Sequence, residues 1–350
     1  MATECGIIKS RMDTVIQPFH TYDSKASSLE RVFDLIERDL KKVDLEFRRN
    51  LRSSVPIIST IGEHLLFSGG KRFRPILLLL ASRLCGYTGD GHISMASLVE
   101  SIHTATLLHD DVVDGAKLRR GSESANSRWG NEASVLVGDF LFTKSFSLMV
   151  EHGNQEILQT ISRATTQMAE GELDELIHTN DLSTREEDYL SIISRKTASL
   201  ISAATHVGAI LGKVPENEER ALVHFGLDLG IAFQLIDDKL DYTSNEEEFG
   251  KKIGIDLQDG KITLPLIAAL RECTVAERNL IAEAVESDPI TKEAFFEVVE
   301  IIERYEGVRH TWEKAKTYVE KAKAHLGLFP DSREKQALLD VADYVLERKL

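Results

Sequence analysis

A chain of 350 residues with a formal net charge of −15 is unlike a general nucleic-acid binder, because such proteins present basic faces to phosphate groups. Hydrophobic residues at 42 % and charged residues at 28 % are typical of a soluble globular protein with a sizeable core. Seven prolines and 7 % aromatic residues favour helices over sheets. The three cysteines, Cys5, Cys85 and Cys273, lack CxxC spacing, which predicts free thiols in a reducing compartment rather than a zinc site.

Helical periodicity organises most of the chain. Residues 1–26 have weak periodicity and no signal-peptide core, so we expect a loosely held N-terminal extension. From SLERVFDLIERDLKKVDLEF at 28–47 onward, apolar residues recur at helical spacing between short polar breaks, and alternating runs that would indicate a sheet are missing. No apolar run approaches the roughly 18 residues of a membrane span. These patterns predict one all-α domain over residues 27–350, in the cytoplasm.

Two clusters of aspartates share one spacing. LLHDDVVDGAKLRRG at 107–121 contains Asp110, Asp111 and Asp114, and FQLIDDKLDY at 233–242 repeats the pattern. Residues three or four apart share a helical face, and clustered carboxylate oxygens suit Mg²⁺. A lone cluster is more often a solvated helix face. Here an apolar run precedes each one, which predicts buried helix ends, and buried carboxylates need counter-charge. The pair therefore predicts divalent cations shared between the clusters.

Basic residues surround both clusters in the sequence. They occur in GGKRFRP at 69–75, in the Arg119-Arg120 pair, in SRKTASL at 194–200 and in GKKIGIDLQDGKITLP at 250–265. Each alone is a weak signal, since a basic pair usually lies on a solvated surface. Together they indicate two anionic groups, one held through metal and lysines and the other through arginines and His103.

With these motifs in place, the sequence resembles the trans-isoprenyl diphosphate synthases, and within them the long-chain polyprenyl group. The resemblance runs from about residue 28 to the C-terminus. It depends on GGKRFRP, IHTATLLHDDVVD, RRG, NEASVLVGDFLF, AEGEL, KT, FQLIDD, and GKxxGxD followed by GKxTLP, in that order. It implies an all-α, isoprenoid-synthase-type bundle around a deep central cavity, usually in a homodimer. The implied activity is Mg²⁺-dependent condensation of isopentenyl diphosphate onto an allylic diphosphate, with farnesyl diphosphate as the expected primer, to give an octaprenyl diphosphate or one of similar length.

The resemblance also implies a role for individual residues. About three Mg²⁺ ions, which Mn²⁺ can replace, would be held by aspartates of the two motifs: Asp110, Asp114 and Asp237, with Asp238 and Asp241. Asp111, Lys196 and Lys251 would complete the catalytic set. The allylic diphosphate would contact Arg119, Lys196, Thr197, Gln234 and Lys251. Isopentenyl diphosphate would contact Lys71, Arg74, His103 and Arg120.

Product length is a further inference from the family. The residues four and five before the first aspartate of the first motif face the growing chain, and here they are Thr106 and Ala105. Small side chains there favour a long product. Phe142 is a candidate for the tunnel floor, although core packing explains an aromatic residue equally well.

Three alternatives stay open. A shorter-chain synthase would use the same site to make farnesyl or geranylgeranyl diphosphate. A non-catalytic partner subunit typically loses an aspartate motif, whereas both are present here. A terpene cyclase would not need Lys71, Arg74 and His103. Family analogy alone suggests quinone side-chain synthesis as the destination of the product, and at most transient membrane contact during its release.

Overall fold

The computed structural model describes residues 26–67, 72–119, 122–152, 154–243, 254–287 and 289–348. Almost all of the predicted N-terminal extension therefore lies outside the described residues. In the described ranges the chain is helical, apart from two antiparallel strands of two residues each. The predicted all-α class is confirmed, and the described residues form two compact units.

The first unit contains the chain up to Ile76 together with Ile93–Glu151. Its elements are α1 (Ala26–Asn50), α2 (Pro56–Phe67), the start of α3 (Phe73–Leu84), most of α4 (Gly91–Val113), β1 (Leu118–Arg119), β2 (Ser122–Glu123), α5 (Ala125–Trp129) and α6 (Asn131–His152). The helix predicted at 28–47 is thus confirmed as α1. A buried apolar cluster joins α1, α2, α4, α5 and α6, with Phe47, Ile61, Leu108 and Leu141 among its members.

The second unit contains Leu77–His92 and the chain from His152 onward. Its further elements are α7 (Gln155–Ile177), α8 (Glu186–Ile193), a π-helical turn (Ser194–Ala198), α9 (Ser199–Gly212), α10 (Glu216–Asp241), α11 (Ile255–Gln258), α12 (Leu264–Glu272), α13 (Val275–Val285), α14 (Lys292–Arg304), α15 (Gly307–His325), a 3₁₀ turn (Leu326–Leu328) and α16 (Arg333–Glu347).

Helix α10 is the centre of the second unit. It packs most extensively against α9 and α15 and also contacts α16. Glycines allow the close approach: a Cβ at Gly226 would lie 2.3 Å from Thr205 Oγ1, and one at Gly230 would lie 2.6 Å from Ala198 Cα. Phe225 and Leu229 are fully buried, so the middle of α10 is part of the close-packed core of the second unit.

Helix α6 is long and apolar and exposes several large apolar side chains. By length and composition it is the one described helix that could cross a membrane. In the folded chain, 33 % of its most apolar 18-residue window is buried. Val135, Leu136 and Val150 are exposed along it. The core or interface helix of a protein outside the membrane passes the same test, so this finding identifies an apolar surface and no more.

The predicted free thiols are confirmed at the two cysteines that the structure describes. Cys85 and Cys273 form no disulfide. Burial, with a smaller effect of Glu218, raises the pKa of Cys85 to about 12, which keeps the thiol protonated and unreactive at neutral pH.

Candidate active site

The first aspartate motif lies at the C-terminal end of α4. Asp111 is 1 % exposed, and its Oδ1 accepts a hydrogen bond of 2.6 Å from Arg119 Nε. Asn126 Nδ2 donates to the backbone oxygen of Asp111 at 2.9 Å. Asp110 and Asp114 are only half-buried. The helix end therefore fixes Asp111 in the protein and leaves its two neighbours within reach of solvent.

A short hairpin positions Arg119. Leu118 pairs with Glu123 and Arg119 with Ser122 across β1 and β2, which turns the chain back over the end of α4. The charge-assisted bond to Asp111 then gives a buried carboxylate a permanent positive partner. The contact of Arg119 with an allylic diphosphate stays a prediction. Arg120, predicted to bind isopentenyl diphosphate, lies outside the described residues.

The other predicted isopentenyl-binding residues are only partly described. Lys71 lies outside the described residues, Arg74 is buried at the start of α3, and His103 is half-buried on α4. The neighbouring Arg72 serves the fold, because it forms ion pairs of 3.2 Å with both Asp44 and Glu100. Burial lowers the pKa of Arg72, but these two carboxylates outweigh it and raise the pKa overall.

The predicted chain-length residues lie close together in the first unit. Ala105 is fully buried in its apolar cluster, and Phe142 packs against that cluster. Thr106 is half-buried and donates its hydroxyl to the backbone oxygen of His103 at 2.8 Å. The role of all three in product length stays a prediction.

The second aspartate motif lies at the C-terminal end of α10 and is held by neutral donors. Tyr189 Oη donates to Asp238 Oδ2 at 2.5 Å, and Gln234 Nε2 donates to Asp238 Oδ1 at 2.6 Å. Thr197 Oγ1 donates to Gln234 Oε1 at 2.8 Å, which extends the network to the predicted allylic-binding residues. Burial and the charge of Asp256 raise the pKa of Asp238. Tyr189 was not predicted from the sequence, because nothing local marks it.

Asp241 connects α10 to the segment that follows it. Its two carboxylate oxygens accept from the backbone N–H groups of Ile255 at 3.2 Å and Asp256 at 3.1 Å. Burial and the charge of Asp256 raise the pKa of Asp241 to about 8. Burial likewise raises the pKa of Asp256 to about 6, although the positive charge of Lys261 opposes the shift. Lys251, at the start of this segment, lies outside the described residues.

Asp237 is the most open aspartate of the second motif, with 36 % of its side chain exposed. Its Oδ1 lies 2.7 Å from Arg348 Nη2, in an ion pair with the residue that directly follows α16. Arg348 carries no motif, and the sequence reasoning missed it because a contact 111 positions along the chain leaves no local signal.

Lys196 lies in the π-helical turn between α8 and α9. Its ammonium group contacts Glu175 and lies 2.8 Å from Glu172, both on α7. Burial lowers its pKa, but Glu175 and Glu172 outweigh this effect and raise the pKa. Gly171 makes the approach possible, since a Cβ there would lie 2.6 Å from the backbone nitrogen of Lys196. Two sequence motifs are therefore in contact within the second unit, namely AEGEL at 169–173 and KT at 196–197.

The donor chemistry of the second motif fits Mg²⁺. Its carboxyl groups are oxygen ligands, and burial first, with neighbouring negative charge second, raises the pKa values of Asp238, Asp241 and the nearby Asp256. The described residues also bring Glu156, His206 and Glu219 together. There His206 Nε2 already pairs with Glu219 at 2.6 Å, and an imidazole is a poorer ligand for Mg²⁺ than oxygen.

Known proteins with similar sequences and structures belong to one group. The family model described as Polyprenyl synthetase matches residues 55–302. Octaprenyl diphosphate synthase of Haemophilus influenzae is 40 % identical over 92 % of this chain and 97 % of its own. All-trans-nonaprenyl-diphosphate synthase of Rhodobacter capsulatus is 38 % identical over 89 % of this chain and 96 % of its own. A polyprenyl synthase from Caulobacter crescentus, solved with calcium and isoprenyl diphosphate, is 41 % identical with a TM-score of 0.89, covering 94 % of this chain and all of its own.

Proposed function

The chain belongs to the polyprenyl synthetase family and is a prenyltransferase, and we propose that it extends an allylic diphosphate with isopentenyl diphosphate to a long-chain polyprenyl diphosphate. In this reaction the allylic C–O bond breaks, and its electron pair leaves with the diphosphate. The double bond of isopentenyl diphosphate attacks the allylic carbon and forms the new C–C bond. A proton is then lost to the departing diphosphate, so no protein base is assigned.

The second aspartate motif is the observation that carries this proposal. Burial and neighbouring negative charge raise the pKa of Asp238 and of Asp241. Ionising these buried carboxyl groups costs free energy unless a ligand compensates their charge. A protein that only packed this helix end would gain stability from apolar residues in the same positions. Crowded carboxyl groups instead suit divalent cations, and the cations in turn bind a diphosphate.

We assign Mg²⁺ binding to Asp110 and Asp114 in the first motif and to Asp237 in the second. Bound Mg²⁺ would neutralise negative charge on the leaving diphosphate. Asp238 and Asp241 are assigned to Mg²⁺ as well. The contacts of these two residues and of Asp111 with protein donors support a further role in fixing the helix ends. The count of three ions and the replacement of Mg²⁺ by Mn²⁺ are part of the proposal.

Cationic side chains would hold the two diphosphates. Arg119, Lys196 and Lys251, with the neutral Thr197 and Gln234, are assigned to the allylic diphosphate. Lys71, Arg74, His103 and Arg120 are assigned to isopentenyl diphosphate. Positive charge at these positions would attract anionic substrates to a chain whose net charge is −15.

A product of about eight isoprene units is proposed from the relatives and from the small residues on α4. The relatives named above are octaprenyl and nonaprenyl diphosphate synthases, and Ala105 and Thr106 have small side chains one turn before the first motif. Phe142 packs against the cluster that contains Ala105, which supports a shared role in product length. Farnesyl diphosphate is the proposed primer.

We further propose a cytoplasmic homodimer. The exposed apolar side chains of α6 support it, since an apolar surface of this kind is typical of interfaces between copies. Sedimentation velocity tests the assembly, because the sedimenting species of a dimer has twice the chain mass. Leu136→Asp should shift the equilibrium toward the monomer.

A product assay tests the proposed function. The purified chain is incubated with farnesyl diphosphate, labelled isopentenyl diphosphate and Mg²⁺, with and without chelator, and the dephosphorylated products are sized by chromatography. We expect chelator-sensitive products of about eight units, and shorter ones from Ala105→Phe. A wild-type product of four units would keep the activity and contradict the long-chain assignment. No incorporation by folded protein would point to a non-catalytic partner subunit.

A further inference from the structure

Arg348 places a buried positive charge on the second aspartate motif. It follows α16 directly, and α16 packs against α10. Its Nη2 lies 2.7 Å from Asp237 Oδ1, and only 9 % of its side chain is exposed. An arginine near the end of a surface helix normally extends into water, so burial of this one needs a reason.

An aromatic ring fixes the plane of the Arg348 guanidinium. Its Cζ lies 4.0 Å from the centroid of the Phe233 ring. Phe233 precedes Asp237 by four residues on α10, so both contacts come from one face of the same helix. A guanidinium stacked on a ring and paired at one nitrogen is oriented before any ligand arrives.

Two further nitrogens of Arg348 are buried without an acceptor. Both Nε and Nη1 lack a hydrogen-bond partner in the protein. Buried charged donors are almost always paired, because leaving them unpaired forfeits hydration without replacement. Their location beside a predicted metal and diphosphate site points to an anionic oxygen as the missing acceptor.

We propose that Arg348 is a further diphosphate-binding residue. Nη2 holds Asp237 in place, while Nε and Nη1 donate to oxygens of the allylic diphosphate. This inference rests on the proposed function, because it needs a diphosphate at the second motif. Arg348 would thus add a fixed positive charge to the cations that receive the leaving group.

Two substitutions separate the donors from the charge. In Arg348→Lys, one ammonium group replaces the guanidinium. The positive charge beside Asp237 is kept, but the Nε and Nη1 donors are lost. Arg348→Gln removes the charge as well. Arg333→Gln is the matched control, since Arg333 is an exposed arginine in the first turn of the same helix.

The full chain is measured in two ways. Steady-state assays vary farnesyl diphosphate and isopentenyl diphosphate separately, and calorimetry measures binding of farnesyl thiodiphosphate, which resists ionisation, in Mg²⁺. We expect Arg348→Lys and Arg348→Gln to weaken binding and to raise the KM for farnesyl diphosphate by about tenfold or more. The KM for isopentenyl diphosphate and the melting temperature of Arg348→Lys should change little. Arg333→Gln should match the wild type.

The outcomes are distinct. Wild-type affinity in Arg348→Lys, with its KM for farnesyl diphosphate unchanged, overturns the inference and leaves the proposed function intact. Equal rises in both KM values, together with a lower melting temperature in Arg348→Lys, indicate a structural role and also overturn it. A wild-type chain that neither binds the analogue nor turns over substrate overturns the proposed function and this inference together.

Discussion

The two aspartate motifs have the same spacing but different partners. In the first, Asp111 is buried against Arg119, whose charge is permanent, and the contact spans eight residues. In the second, Asp238 is buried against the neutral donors Tyr189 and Gln234, and other carboxyl groups lie nearby. The first motif therefore has an internal counter-charge at its central aspartate. In the second, Arg348 pairs with Asp237, whereas the central Asp238 has only neutral donors and keeps a proton more easily until a cation binds.

The two motifs therefore have different roles, although their spacing in the sequence is the same. Arg119 gives Asp111 a permanently charged partner, which anchors the end of α4. At Asp238, burial and the charge of Asp256 raise the pKa even though Tyr189 and Gln234 oppose the shift, and so the charge of the second motif depends on what it binds. Substitutions in the two motifs should reveal this asymmetry in stability even where their effects on activity are alike.

The largest expected effect is on activity, and it is the same for both motifs. Asp110→Asn and Asp237→Asn should each lower kcat by about 10²–10³-fold, because each removes negative charge that binds the metal under the leaving group. Incorporation of labelled isopentenyl diphosphate measures it, with Asp34→Asn on α1 as an exposed control. Full activity in either motif variant would show that only one motif serves the reaction.

The second expected effect is on stability, and here the motifs should differ. Arg119→Gln should lower the free energy of unfolding by about 3 kcal/mol, at the low end for a broken buried pair because Arg119 is 27 % exposed. Tyr189→Phe should cost about 1 kcal/mol, since it removes a hydrogen bond between groups that need not be charged. Urea unfolding followed by circular dichroism measures both. Equal losses would contradict the contrast between a charged and a neutral partner.

A third expected effect is a pH dependence of the metal-free protein, which is smallest per step because it accumulates gradually over several pH units. Burial and the charge of Asp256 raise the pKa of Asp241 to about 8 from 3.8, the ordinary aspartate value of the unfolded chain, so the folded chain keeps that proton over a wider pH range. Stability from this group is complete below about pH 4 and is lost as pH rises toward 8, with a slope of at most about 1.4 kcal/mol per pH unit.

Thermal unfolding in chelator between pH 5.5 and 8.5 tests this slope. The wild-type melting temperature should fall with rising pH more steeply than that of Asp241→Asn, which cannot titrate at this position. Parallel curves for the two proteins would mean that Asp241 does not keep its proton in the folded chain.

The predictable part of this structure is the local part. The helices followed from apolar spacing, because a helical face is set by residues three and four apart. The aspartate motifs followed for the same reason, and their position at the ends of α4 and α10 is confirmed. The basic motifs were recognised as sequence strings, yet Lys71, Arg120 and Lys251 lie outside the described residues, and their roles stay predictions.

The missed part depends on tertiary contacts. Tyr189 and Arg348 reach the second motif from 49 and 111 positions away along the chain, and no periodicity records such a distance. The π-helical turn that carries Lys196 and Thr197 also has no compositional signal. Close packing of Gly171 on this turn explains why AEGEL and KT belong together, a relation that their separate positions in the sequence did not reveal.

The span of the hydrogen bond between Tyr189 and Asp238 has a consequence for the order of folding. The partners of Asp111 lie within 15 residues of it, so the first motif closes a short loop and can form early. The second motif must wait until segments 49 residues apart have docked, and contacts of that separation are slow to form. A partly folded chain would therefore contain the folded first motif before the second. Substrate binding would become possible only late in folding, when the second unit is complete.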